Sequence, residues 1–395
     1  MTTRVARYAV LSERRKAVWQ TAACHGCFAM LPLGLTAYVW WFAAAHHSFA
    51  VDFNHAFWPA GRMVLDGSSP YVATSSALVK QGVAFVYPAP GAVLFAGFAW
   101  LPHAMAAVLF TTLCICGALG VLWMVGVRDW RLFGLVLLWP PVISGWQTAN
   151  LSLIIAFGTA AAWRLRARPM ASGLIVGLLV SVKVFVWPLG IWLLATRRYA
   201  ALGWAVASAT FTNLVAWAVL GFGQLHAYTA LVGAVTNVEE KAAYTPLALI
   251  LHLGGSLALA QLVSLMSAGV AAVYCISAGR RDRDMSSLLL AIAVSLLAGP
   301  IVWLHYFALL LVPLAIARPR LSVVWLVPLL MVFCPVTAPS LWQLAFGLSA
   351  MTVVVAALLY RPDPVPDRRR SVAGGDTCSH RPVVRVLRPR TRPEA

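Results

Sequence analysis

Thirteen apolar runs recur between Gly26 and Tyr360, and they constrain this chain more than any motif in it. They lie at about 26–45, 87–101, 103–127, 132–146, 151–163, 171–182, 184–196, 200–221, 246–278, 285–299, 301–317, 321–335 and 340–360. A helix needs about 20 apolar residues to cross a bilayer. Lipid satisfies no backbone N–H or C=O, so such segments must close their own hydrogen bonds as helices. With 61% of residues apolar and 11% charged, the expected fold is all-α, a polytopic transmembrane helical bundle, with no soluble domain to hide that surface.

Charge placement decides between nucleic acid and membrane as the partner of a chain with net charge +18. The basic residues gather in residues 1–20, in short loops at Arg128–Arg131, Arg164–Arg168, Arg197–Arg198, Arg280–Asp284 and Arg318–Arg320, and in residues 361–394. That is the positive-inside pattern, with the basic loops facing the cytoplasm and anionic lipid. Nucleic acid is excluded as a partner on this placement.

Both ends are therefore read as cytoplasmic, in a multi-pass protein of the bacterial plasma membrane. Residues 1–22 form a basic N-terminus leading into an uncleaved first helix, 23–360 the membrane domain, and 361–395, rich in Arg, Pro, Gly and Ser, a disordered basic tail. Ends on one side require an even number of crossings, and about twelve are expected. The run at 87–101 is read as re-entrant, because it opens Tyr87-Pro88-Ala89-Pro90 and is too short to span. Irregular backbone at that depth needs a wet or protein-lined cavity, so one is expected near Pro88. This topology leaves two sizeable outer loops, 46–86 and 222–245. The seven cysteines show no framework spacing and read mainly as packing residues; Cys24-His25-Gly26-Cys27 lacks the second ligand pair a metal site requires.

Of the twelve acidic residues, only Asp52, Asp66, Glu239 and Glu240 fall on the outer face in this topology, and none lies within a span. An ion-coupled transporter usually keeps a carboxylate near the midplane, so this distribution argues against ion-driven transport. Asp52 sits where the chain leaves the first helix, held at the membrane surface. A partly desolvated carboxylate there suits a base that deprotonates a hydroxyl, although a solvated loop residue or helix cap fits the same pattern. Asp66-Gly67-Ser68-Ser69-Pro70-Tyr71 reads first as a turn, and Glu239-Glu240-Lys241 as a solvated run.

Lys183 is the one charge embedded in apolar sequence, between two half-length segments. It either meets a phosphate as a point charge or snorkels to headgroups. Arg62, Lys80 and the His305-Tyr306 pair offer further groups for clamping a phosphate. Trp58, Tyr71, Trp146 and Trp303 are candidates for stacking on sugar rings, equally well explained as an interfacial belt.

In their order, Asp52-Phe53, Asp66 to Tyr71, Tyr87-Pro88-Ala89-Pro90, Gly145-Trp146-Gln147-Thr148-Ala149-Asn150 with Leu151 and Ser152, Lys183 with Trp187-Pro188, Arg197-Arg198, and Trp303-Leu304-His305-Tyr306 resemble the family 87 glycosyltransferases. These are bacterial polytopic enzymes of the GT-C type that use polyprenyl-phosphate sugars. The resemblance spans roughly residues 50–320. Two motifs depart from the family's usual form, Tyr-Pro-Pro standing here as Tyr87-Pro88-Ala89-Pro90 and Gly-Gln-x-Asn as Gly145 to Asn150.

The resemblance implies a GT-C-like bundle and transfer of a sugar, mannose in the first place and arabinofuranose as the competitor. The donor would be a polyprenyl-phosphate sugar and the acceptor a hydroxyl of an envelope glycan or glycolipid. The displacement would invert configuration without a covalent enzyme intermediate. Asp52 would be the general base; Lys183, His305, Arg62, Tyr87, Gln147, Asn150 and Tyr306 would bind substrate or its phosphate. No cofactor and no obligatory metal are implied. A flippase for lipid-linked sugars and a non-catalytic scaffold for envelope assembly are the alternatives, the former disfavoured by the single charge within the spans.

Overall fold

The computed structural model describes residues 22–360, so the basic segments assigned to the two ends lie outside the described residues. Among those residues there are helices and no strand. In chain order they are α1 (Ala22–Ala45), α2 (Trp58–Leu65), α3 (Ala89–Ala99), α4 (His103–Met124), α5 (Trp130–Leu137), α6 (Pro140–Gln147), α7 (Ser152–Arg164), α8 (Pro169–Val182), α9 (Leu189–Ala195), α10 (Tyr199–Leu220), α11 (Gln224–Glu239), α12 (Pro246–His252), α13 (Leu257–Arg280), α14 (Asp284–Ala298), α15 (Leu311–Ala317) and α16 (Leu341–Leu359).

Five of them, α1, α4, α10, α13 and α16, are long and apolar enough to cross a membrane. Their outward faces are apolar as well as exposed: Leu265 on α13 is 66% exposed and Phe211 on α10 is 70% exposed. In water such faces would be unstable, and lipid is the solvent that suits them. The remaining apolar runs break where the residues demand it. The run at 132–146 splits at Pro140-Pro141, which occupy the first turn of α6, where proline's missing N–H does no harm. The run at 246–278 splits at Gly254, whose φ of +82° suits glycine, and restarts where Ser256 caps Leu259. Helix α3 has eleven residues, about 16 Å at 1.5 Å per residue, against about 30 Å of hydrocarbon.

The segment 222–245, expected as a loop, carries α11. Its Tyr228, Leu231, Val232 and Val235 recur at helical spacing and form a buried or half-buried stripe. The first outer loop is likewise part helical, with a π-helical turn at Phe53–Phe57 running into α2. Phe53 and Phe57 are both buried, and their rings pack against Phe95 of α3 and Phe110 of α4, the Phe57–Phe95 pair stacked with centroids 4.3 Å apart. This aromatic cluster anchors the helical stretch that carries Asp52 in its first turn.

Two further devices hold the bundle. Gly173 and Gly177 on α8 press against the backbone carbonyls of Ala201 and Ala205 on α10, the close approach that small residues four apart permit. At one end of the bundle, Arg198 donates to both carboxylate oxygens of Asp284 at 2.8 and 2.7 Å, while Arg166 and the Trp192 indole donate to the same group. That bidentate clamp ties the starts of α10 and α14 to the end of α7. Nearby in sequence to α5, Arg131 hydrogen-bonds the Asp129 carboxyl and holds its pKa down to about 2.

Gly177→Leu should separate α8 from α10, since a side chain there meets backbone that cannot move aside. A stability loss of about 1–3 kcal/mol is expected from overpacking, measured as a lower midpoint of thermal unfolding in detergent relative to wild type.

Candidate functional site

The backbone places Asp52 before any side chain does. The chain leaving α1 docks on the end of α6: the Ala50 N–H donates to the Gln147 carbonyl at 2.7 Å, and the Asp52 N–H to the Thr148 carbonyl at 3.0 Å. Ala50 and Ala149 each adopt φ of +53° and are fully buried. Left-handed backbone costs a non-glycine residue roughly 1–2 kcal/mol, and such strain persists where surrounding packing over-determines it. The two strained alanines flank the two residues on which the site turns, Asp52 and Asn150.

Asn150 is 1% exposed and links the site's opposite charges. Its amide N–H donates to Asp52 Oδ2 at 2.6 Å and to the Tyr87 hydroxyl at 3.3 Å. Its carbonyl oxygen accepts from the Ser152 N–H at 3.0 Å, the Ser152 hydroxyl at 2.8 Å and the Lys183 ammonium at 3.3 Å. Asn150-Leu151-Ser152 is a local Asx turn at the start of α7, which sets the amide's direction. Burial raises the pKa of Asp52 above the usual carboxylate range; the Asn150 hydrogen bond and the Lys183 charge oppose that rise.

Lys183 is 5% exposed, so it does not reach out to headgroups. It stands where α8 ends and the backbone turns extended. Its ammonium donates to Ser152 Oγ at 3.1 Å as well as to Asn150, and lies 3.7 Å from the centre of the Tyr306 ring, a cation–π contact. It lines a cavity of about 340 Å³ whose other walls include Tyr87, Phe185, Trp187, Val232, Trp303 and Tyr306. Val184 and Trp187, on that wall, are about half exposed. A smaller cavity of about 30 Å³ lies beside Asp52, lined also by His55, Gly82, Val83, Tyr87 and Trp303. Val86, Tyr87 and Trp303 belong to both cavities and form the wall between them. The cavity expected near Pro88 is present, since Pro88 lines the larger one.

His305 and Tyr306 lie in a 3-10 segment, Leu304–Leu310, that packs against α6 and α7. His305 is 2% exposed, with Nδ1 3.5 Å from the Ser144 hydroxyl. Gln147 enters the site through its backbone carbonyl. Arg62 is not brought in: it lies on the exposed side of α2 and pairs with Asp66 at 3.3 Å, one turn on. Thr148 and Ser152 belong to the motif stretch but carried no assigned role, and Glu239 read as solvated, yet Thr148 and Ser152 stand at the site and Glu239 lies against Gly82 at its rim. Asn-x-Ser at a helix start was the available signal for Ser152. Among the described residues no three His, Cys, Asp or Glu side chains gather into a metal-holding group.

With this geometry stands a comparison with known proteins. The profile of glycosyltransferase family 87 matches residues 85–302, more than half of the 395. The chain belongs to glycosyltransferase family 87. No curated protein and no solved structure matches it significantly. This family 87 glycosyltransferase carries Tyr87, Gln147, Asn150 and Lys183 inside the matched stretch, whereas Asp52 and the His305-Tyr306 pair join them from outside it.

Ala149→Gly should leave folding and the site intact or stabilise the protein by up to about 1 kcal/mol, because glycine adopts this backbone freely. Ala149→Val, strained and without space, should lower the thermal midpoint in detergent. Equal midpoints for the two variants would show that the turn carries no strain.

Proposed function

We propose that this protein transfers a sugar, mannose, from a polyprenyl-phosphate donor to a hydroxyl of an envelope glycan or glycolipid at the outer face of the bacterial plasma membrane, by a GT-C-like bundle of about twelve crossings with cytoplasmic ends. One observation carries the reading: a half-buried carboxylate and a buried ammonium share the amide of Asn150, with the ammonium on the wall of a largely apolar cavity. That cavity suits an isoprenoid phosphate. Its half-exposed Val184 and Trp187 offer a route for the chain from lipid, and Lys183 meets the phosphate.

In the reaction the acceptor oxygen attacks the anomeric carbon as its proton passes to Asp52. The bond from that carbon to the phosphate oxygen breaks, and the lipid phosphate leaves with the electron pair, giving inversion in one displacement. Phosphate is already a competent leaving group, so the site supplies charge and alignment more than acid catalysis. Two of the three Lys183 N–H donors are held by Asn150 and Ser152, which aims the ammonium. Tyr306 holds it from the ring side and His305 lies within its electrostatic reach. Because Asn150 has its hydrogen-bonding capacity filled by protein groups, its part is to position the base and the cation and not to contact substrate.

Asp52→Asn removes the proton acceptor at nearly constant volume. Membranes carrying it should contain the protein in wild-type amount and lose sugar transfer by about 10²-fold or more, the contribution usual for a general base. The test uses radiolabelled polyprenyl-phosphate mannose, with the arabinose donor in parallel and host lipids and glycans as acceptor. In the wild type, kcat/KM should rise with pH as Asp52 deprotonates, with a midpoint above the ordinary carboxylate range because burial favours the neutral acid. Absence of transfer by wild type from either donor would refute the enzyme reading; equal transfer by both proteins would refute Asp52 as the base.

A further inference from the structure

The carboxylate of Glu239 has no part in the chemistry above and occupies a costly position. It is the last residue of α11, where the negative end of the helix dipole disfavours it. It is half-buried, and that burial pushes its pKa up from the usual carboxylate range. Among the described residues no lysine, arginine or histidine lies within salt-bridge distance of it. Its Oε1 rests on Gly82, where φ is +69° and any added side chain would collide with the carboxylate. The Trp303 indole N–H is buried and lies near the carboxylate without meeting hydrogen-bond geometry.

Gly82 and Trp303 are also walls of the 30 Å³ cavity beside Asp52. That volume holds one water-sized group, so it admits a single hydroxyl and no sugar ring. The ring bearing that hydroxyl must lie outside it, and a carboxylate beside an indole is a pair suited to a neutral sugar. The carboxylate accepts hydrogen bonds from two hydroxyls, and the indole covers the apolar C–H face of the ring.

We propose that Glu239 and Trp303 form the acceptor subsite, holding a neutral sugar by its hydroxyls so that one of them enters the cavity beside Asp52. The two substrates are then sorted by charge. The anionic donor goes to the Lys183 cavity, and the Glu239 carboxylate repels an anionic acceptor such as a uronic acid. This proposal rests on the glycosyl-transfer reading above.

Initial rates would be measured for wild type, Glu239→Gln and Glu239→Ala in proteoliposomes, with polyprenyl-phosphate mannose as donor. The acceptors are octyl mannoside, octyl glucoside, octyl galactoside and octyl glucuronide. Wild type should prefer the neutral glycosides. Both variants should raise the KM for the neutral acceptor about tenfold or more, the loss expected for hydrogen bonds to a charged group, with donor KM unchanged. They should also narrow the disadvantage of the glucuronide. An unchanged donor KM shows that the variant is folded and its donor cavity intact. Transfer by wild type with unaltered acceptor KM in both variants would overturn the subsite while leaving the enzyme reading in place. No transfer by wild type to any acceptor, from this donor or from the arabinose donor run in parallel, would overturn the enzyme reading and the subsite together.

Discussion

The amide of Asn150 is the contact on which the rest of the site depends. It separates a carboxylate from an ammonium, donating to one at 2.6 Å and accepting from the other at 3.3 Å. Burying either charge alone is expensive, and burying both without further hydrogen bonds is scarcely better. An amide has a donor and an acceptor on one plane, so it satisfies both ions while keeping them from collapsing into a direct pair. Each charge keeps a free side: Asp52 toward the small cavity, Lys183 toward the large one.

Much of the architecture supports that amide. The Asx turn with Ser152 fixes its direction from α7, and the strained turn at Ala149 brings it up from α6. The chain after α1 is laid on the same turn by two backbone hydrogen bonds, so Asp52 is positioned by main chain before its side chain makes any contact. The cluster that Phe53 and Phe57 of the π-helical turn form with phenylalanines of α3 and α4 then holds the helix that follows. Helix α8 delivers Lys183 only because Gly173 and Gly177 let α8 lie against α10.

The wall of Val86, Tyr87 and Trp303 stands between two neighbouring cavities of very different size. A large apolar cavity with one cation and a slot for one hydroxyl beside a carboxylate are complementary to a lipid phosphate and an alcohol. Tyr87 stands in the wall with its hydroxyl on Asn150, so the partition and the charge bridge are one structure. The membrane matters here as well as for the fold. The largely apolar lining around Lys183 suits an isoprenoid chain arriving from lipid.

The sequence alone determined the solvent and the fold class, because apolar runs of spanning length leave helices as the one way to satisfy backbone in lipid. It also singled out Lys183, since a lone charge in apolar sequence is conspicuous, and Asp52, since it stands where the chain leaves the first helix, and the order of its motifs pointed to the family. Helix boundaries were less legible. The apolar runs at 132–146 and 246–278 read as single segments, yet Pro140-Pro141 and Gly254 break them, and hydropathy does not register backbone geometry. Segment 222–245 read as loop, although Tyr228, Leu231, Val232 and Val235 already carried a helical stripe. What tertiary structure decided was which polar residues meet. Arg62 looked equivalent to Lys183 in charge, but its face of α2 is exposed and it pairs with Asp66. Glu239 looked like a solvated residue until α11 set it against Gly82 and Trp303, which are 157 and 64 positions away along the chain. Contacts across such distances arise from how helices cross, and although a pair such as Gly173 and Gly177 marks a face for close approach, the partner it meets is decided only by the packed bundle.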